Sequence, residues 1–257
     1  MKRLLLNIIL LTSFIGQVYS QEDTLFRQVS SHEELDLREV GLLAIPTQGV
    51  FIMEGNRLSS IDAGNNLSDV TFTKNIYVNN IIWSGEDFIV RSGNEIFLLD
   101  DFEEPLMVFE TTNYEIFANN SEKIYVVSHS EDTSILFVGE INQEKVCRLL
   151  KIGEYILQVS ALKEGTMVVT TENVYLFTEK ECKRYLNFWA PVHSAVMTSR
   201  GLVFATEDMV CLLAGEGMFV PLFEAKTRQL LYDYKELFLL LDNGDLWAFD
   251  IDKWKMQ

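Results

Sequence analysis

The sequence predicts an all-β domain in which one small sheet is used repeatedly, and three observations carry that prediction. The 257-residue chain is rich in short runs of Val, Ile, Leu, Phe and Tyr broken by Gly, Asn, Asp and Ser, with no convincing amphipathic helix. These runs recur: Val50-Phe51-Ile52, Phe88-Ile89-Val90, Ile124-Tyr125-Val126, Met167-Val168-Val169, Leu202-Val203-Phe204 and Leu237-Phe238-Leu239 start 38, 36, 43, 35 and 35 residues apart. Some of them, above all Leu237 to Leu241, are apolar at every position. A strand with one face in water would alternate instead, so these strands need neighbours on both faces.

From the N-terminus, Lys2 and Arg3 precede an apolar run from Leu4 to Ile15 and compact residues at Val18-Tyr19-Ser20. That pattern predicts a signal peptide over residues 1–20, cleaved after Ser20, with an apolar core short of the roughly 20 residues of a membrane span. No Cys stands near the cleavage point to take a lipid. Residues 21–257 are then expected to be a single domain, secreted or periplasmic, with no stable membrane insertion. Next comes a spare strand, Thr24 to Ser30, ahead of the first complete repeat.

Six repeats follow, each read as three or four strands joined by short polar turns. The first strands are expected near Leu42 to Pro46, Asn80 to Ser84, Glu115 to Ala118, Val159 to Leu162, Ser194 to Thr198 and Gln229 to Asp233. The recurring runs above are the second strands. Third strands are expected at Leu58 to Asp62, Glu95 to Asp100, Ser134 to Gly139, Val174 to Thr178, Val210 to Ala214 and Leu246 to Ile251. Outer strands are expected at Val70 to Thr73, Leu106 to Phe109, Val146 to Leu150, Lys183 to Phe188 and Phe219 to Phe223; the last repeat has none of its own. Its Asn243-Gly244 reads as a two-residue type I′ turn.

Small sheets stacked radially around an axis give each sheet a neighbour on both faces, and a repeat of about 40 residues is the usual blade of such a β-propeller. The expected fold is a six-bladed β-propeller of four-stranded blades. The spare N-terminal strand is expected to pair with the third strand of the last blade and close the ring. Over residues 41–252 the blade rhythm resembles that of six-bladed propellers of secreted bacterial proteins with NHL-type or two-component-regulator-type repeats. The WD dipeptide, the kelch double glycine and the sialidase Asp-box are absent.

The net charge of −17 becomes −19 without residues 1–20, which leave 19 basic against 38 acidic side chains. Such an acidic chain repels phosphate backbones and anionic lipid, which argues against nucleic-acid binding. Cys147, Cys182 and Cys211 show no CxxC spacing and read as small buried apolar residues. The histidines, His32, His129 and His193, show no paired spacing, and neither GxSxG nor a phosphate-binding loop occurs. No metal site and no cofactor are expected.

The resemblance implies that ligands meet a propeller where outer-to-inner connections and the turns between second and third strands gather at one mouth of the axial channel. Those connections carry the candidate binding residues Tyr77, Tyr114, Tyr155, Trp189, His193 and Arg228. Aromatic rings beside a His and an Arg suit a sugar ring or a peptide side chain. The expected function is a non-catalytic, monomeric binding module for a protein, peptide or glycan partner. The alternative is a hydrolytic, carbohydrate-active propeller using carboxylates at the channel mouth.

Overall fold

The computed structural model describes residues 26–31, 37, 41–45, 49–54, 57–61, 67–71, 79–83, 88–98, 105–108, 113–117, 123–131, 133–140, 146–163, 165–178, 181–214 and 217–254. The expected signal segment and Tyr77 lie outside these residues. Among the described residues 24 strands form six four-stranded antiparallel sheets and no helix is present.

The N-terminal strand β1 is Phe26–Ser30, and its partners come last in the chain. Blade 1 holds β2 (Gly41–Ile45), β3 (Gly49–Glu54), β4 (Arg57–Ile61) and β5 (Leu67–Thr71) in that order. Blade 2 holds β6 (Asn80–Trp83), β7 (Phe88–Ser92), β8 (Glu95–Leu98) and β9 (Met107–Val108). In blade 3 the longest strands occur: β10 (Tyr114–Phe117), β11 (Lys123–Ser130), β12 (Thr133–Glu140) and β13 (Val146–Ile152). Blade 4 is β14 (Ile156–Leu162), β15 (Gly165–Thr170), β16 (Asn173–Phe177) and β17 (Cys182–Asn187). Blade 5 is β18 (Ser194–Thr198), β19 (Gly201–Ala205), β20 (Val210–Ala214) and β21 (Met218–Phe223). Blade 6 runs β22 (Thr227–Tyr232), β23 (Leu237–Leu241), β24 (Leu246–Phe249) and then β1. The innermost strands touch in the order β2, β6, β10, β14, β18, β22 and back to β2, so the sheets close into a six-bladed β-propeller.

Blade 6 shows how the chain shuts the ring. β1 pairs antiparallel with β24, Phe26 opposite Phe249 and Ser30 opposite Leu246, as the spare strand predicts. The Phe26 ring stacks on Phe249 with centroids 4.3 Å apart and planes 8° from parallel. Beside it Arg27 grips Glu236 through two hydrogen bonds, of 3.3 Å from Nε to Oε1 and 2.6 Å from the guanidinium Nη2 to Oε2.

The wholly apolar run Leu237 to Leu241 now has its physical reason. Leu237 and Leu239 pack with Val203, Val210 and Leu212 of blade 5, while Phe238 and Leu240 pack with Leu42, Val50 and Ile52 of blade 1. Alternate side chains of one strand thus fill two different seams. Blade 5 repeats the scheme: Val203 and Ala205 face blade 6, and Leu202 and Phe204 face blade 4.

The turns refine the sequence reading. Gly244 has φ +94°, but Asn243 does not, so the predicted two-residue type I′ turn is not formed. Instead Leu241 N–H donates to Asp245 O (2.9 Å) and Gly244 N–H to Leu241 O (3.0 Å). That is a three-residue loop whose only left-handed position falls on glycine. In the other hairpin of blade 6 the left-handed position is Tyr234, at φ +70°. Asp233 holds it there, its Oδ1 accepting from Lys235 N (2.9 Å) and Glu236 N (2.6 Å).

Two further expectations change. β14 begins at Ile156 rather than Val159, and β22 at Thr227 rather than Gln229, because a register shift in each breaks the two-residue alternation at the strand start. Cys211 is buried, but Cys147 and Cys182 are exposed. They lie on β13 and β17, the outermost strands of their blades. Among the described residues no group of three His, Cys, Asp or Glu could hold a metal ion, and no helix is long and apolar enough to cross a membrane.

Candidate functional site

Antiparallel order sends each outer-to-inner connection and each turn between second and third strands to the same end of the blade. Backbone hydrogen bonds tie the two kinds of segment together there. Thr171 N–H donates to Tyr155 O (3.0 Å), Val192 N–H to Thr171 O (2.8 Å) and Asp242 N–H to Lys226 O (3.0 Å). The loops joined by these bonds, in blades 4 and 6, are therefore fixed to one another.

The best-developed constellation sits at the seam of blades 3 and 4. Glu115 on β10 lies opposite Val127 on β11, two residues before His129, so Glu115 and His129 share one face of the sheet. Ser134 on β12 lies directly opposite His129. The His129 ring is buried, with its Nδ1 3.0 Å from Ser134 Oγ. Ser134 Oγ also accepts from Ile156 N–H across the seam (3.2 Å). Asn113 Nδ2 fixes the backbone by donating to His129 O (2.7 Å). Tyr155 then closes over the imidazole, centroids 3.8 Å apart and planes within 5°, and its hydroxyl donates to Glu115 Oε1 (3.2 Å). Burial, and then the charge and hydrogen bond of Glu115, push the Tyr155 phenol up to about 12. His129 Nε2 is buried without a hydrogen-bond partner among the described residues, 3.9 Å from Glu115 Oε2.

Next to Tyr155 in the chain, Glu154 is tied into blade 4. Its carboxylate accepts from Thr170 Oγ1, Asn173 Nδ2 (3.0 Å) and the Tyr175 hydroxyl (2.8 Å). Burial raises its carboxyl, but these three bonds with the field of Arg184 outweigh that and leave it below the usual range. The Tyr175 phenol is pushed up to about 12 by burial and then by Glu154. Glu154 is a rivet, with its oxygens occupied by the blade itself.

The second aromatic feature lies one seam further on. Trp189 is 55 % exposed, yet its indole stands edge-on against Phe219 (4.5 Å, 72°) and the fully buried Phe204 (5.6 Å, 68°). His193 is exposed in the same connection, anchored by its N–H donating to Ala205 O (3.1 Å). Arg228 is exposed at the start of β22. That places it across the ring, since blade 6 stands opposite blade 3 in a six-membered circle. Lys226 nearby reaches Glu207 of blade 5 (3.5 Å).

No family model matches the chain, and no curated protein matches it in sequence. Among solved structures it is similar to virginiamycin B lyase from Staphylococcus aureus, solved with quinupristin (11 % identity, 83 % of this chain and 81 % of that one, TM-score 0.56). It is similar to the BBS1N chain solved in complex with ARL6DN (9 %, 81 % and 76 %, TM-score 0.50). It is also similar to PorZ of Porphyromonas gingivalis, described as a surface component of the type-IX secretion system (14 %, 77 % of this chain but 29 % of PorZ, TM-score 0.50). What they share is the propeller fold.

The sequence candidates are thus divided by the structure. Tyr155, Trp189 and His193 come to the loop face of neighbouring seams. Tyr114 does not meet solvent: it is 2 % exposed, with the Arg91 guanidinium 4.9 Å over its ring and donating to its carbonyl. Burial pushes its phenol up to about 12, against the opposing pull of Arg91. Glu115 and His129 escaped selection because 14 residues separate them and only the hairpin register brings them together. The parity of that register is the one signal that finds them.

Proposed function

We propose that this chain is an exported, non-catalytic recognition module that holds a protein, peptide or glycan partner on the loop face of blades 3 to 5. The observation that carries the reading is a pair of exposed rings held without freedom: Tyr155 stacked on buried His129, and Trp189 wedged against Phe204 and Phe219. Side chains ordered before binding lose little entropy on contact, and Trp and Tyr are the residues that most often anchor an interface. BBS1N, a propeller of similar fold, was crystallised with a protein partner, which agrees with such a role.

The hydrolytic alternative has less support. Of the carboxylates it would use, Glu154 has its oxygens taken by Thr170, Asn173 and Tyr175, and Glu115 accepts from the Tyr155 hydroxyl. Export rests on the residue pattern of 1–20 and predicts a native protein beginning at Gln21; an intact mass that retains Met1 would overturn it. Recognition is tested by retention of partners from the native extracellular or periplasmic extract. The double variant Trp189→Ala, Tyr155→Ala loses the packing on Phe204, Phe219 and His129 and should melt below the parent; assayed at a temperature where both are folded, it should retain at least about tenfold less of any partner. Equal retention would move the contact surface elsewhere.

A further inference from the structure

Which hydrogen the buried imidazole carries decides what the notch between His129 and Glu115 can accept. Ser134 Oγ already accepts from Ile156 N–H. The oxygen keeps a second lone pair, so either partner can donate across the 3.0 Å to His129 Nδ1; the negative charge of Glu115, 3.9 Å from Nε2, favours the hydrogen on Nε2 and the Ser134 hydroxyl as the donor to Nδ1. Nδ1 is then the lone-pair nitrogen and Nε2 bears the hydrogen. That N–H is buried and unpartnered, and Glu115 Oε2 at 3.9 Å is beyond normal hydrogen-bond length. The cost of leaving a buried donor unmade is a reason to look for a ligand group there.

The seam therefore holds one buried donor, His129 Nε2–H, behind one acceptor, the half-exposed carboxylate of Glu115, whose side chain swings aside to admit a ligand group. An ammonium or guanidinium group has no lone pair for the imidazole N–H. A carboxylate, sulfate or phosphate has no proton for Glu115 and is repelled by it. A hydroxyl does both, accepting from Nε2–H and donating to Oε2. Tyr155 supplies the rest: one face is taken by His129, and 44 % of the residue is still exposed. A flat ring beside a hydroxyl-binding pair fits the C–H face and the polar edge of a sugar. The acidity of the chain, −17 overall, disfavours anionic polysaccharides.

We propose that Glu115, His129 and Tyr155 form a subsite for a neutral oligosaccharide, with a sugar hydroxyl bridging His129 Nε2–H and Glu115 and the pyranose ring on Tyr155. This rests on the recognition reading and narrows it to one ligand class at one seam. The probe is an array of neutral oligosaccharides built on glucose, galactose, mannose and xylose, followed by titration of any that bind. Binding should fall at least about tenfold in Glu115→Gln and in Tyr155→Ala. Glu115→Gln, conservative in shape and half-exposed, guards against misfolding, and its melting curve should match the parent. Nitrogen-resolved NMR should show His129 with its hydrogen on Nε2, and that signal should move on sugar addition.

No binding to any member of the array overturns the proposal, as does undiminished binding by Glu115→Gln or a hydrogen on Nδ1. Partner retention that depends on Trp189 and Tyr155 without sugar binding sinks the subsite and leaves the recognition reading. Loss of both sinks both.

Discussion

The imidazole of His129 lies flat against the phenol of Tyr155, 3.8 Å between centroids, although the two residues belong to different blades. The contact joins β11 of blade 3 to the connection that opens blade 4, and Glu115 completes it by accepting from the Tyr155 hydroxyl. One seam thus carries an aromatic platform, a carboxylate and a buried ring nitrogen within a few ångströms.

Tyr155 should report on Glu115 through its ionisation. Its phenol stands at about 12 against an ordinary 10.0. Because the folded value is the higher one, the stability this tyrosine contributes is whole below pH 10.0 and is lost as the pH climbs through about 12. Glu115→Gln removes the charge and should let Tyr155 ionise earlier, seen in ultraviolet phenolate absorbance against a Tyr155→Phe background. An unmoved titration curve would mean that the two side chains do not interact in solution.

Glu154 should behave in the opposite sense. Its carboxyl lies below the ordinary 4.5, so its contribution is present above that value and disappears as the pH falls through the folded one. Glu154→Gln should melt earlier than the parent at neutral pH, and the difference should vanish in acid. A constant difference at all pH values would assign the effect to shape rather than charge.

Closure of the ring should depend on the ring stack more than on the ion pair. Phe26→Ala loses the contact with Phe249 and should cost about 1–3 kcal/mol in urea denaturation. Arg27→Ala breaks a pair whose arginine is 49 % exposed and should cost less than about 1 kcal/mol. The reverse order would show that the clasp is electrostatic. Deleting residues 21–31 should lower the melting temperature sharply.

Backbone conformation predicts a pair of opposite effects. Gly201 sits at φ +127° with Leu213 O 2.9 Å from where a Cβ would stand, so Gly201→Ala should destabilise by about 1–3 kcal/mol. Tyr234→Gly relieves a left-handed residue at φ +70° but adds freedom to the unfolded chain, for a net gain of about 0.5 kcal/mol. Thermal melts of the two variants on opposite sides of the parent are the expected outcome. Should Tyr234→Gly melt lower, the ring pair Tyr232–Tyr234, 5.8 Å apart, matters more than the strain.

The blade count and the closure by β1 were legible because each repeat writes its strands in the same order, and because Leu237 to Leu241 is apolar on both faces. The site was legible only in part. Exposed Trp189 and Tyr155 follow from their place in the connections, but nothing in the sequence distinguishes them from Tyr114, which Arg91 covers. Glu115 and His129 become neighbours through a hairpin register that residue types do not specify. Cys147 and Cys182 misled because the residue type was read without its strand: both lie on outer strands, and Lys183 and Arg184 beside Cys182 already mark an exposed one.

The pairing of β1 with β24 also sets an order of events. Arg27 and Glu236 meet across 209 positions of sequence, so their contact is among the last that a growing chain can make. Until then five blades stand as an open arc, with one apolar flank of blade 1 waiting for Phe238 and Leu240. Folding of this protein should therefore end in a single late, slow step in which the arc snaps into a circle, and the same step reversed should govern how long the finished ring lasts.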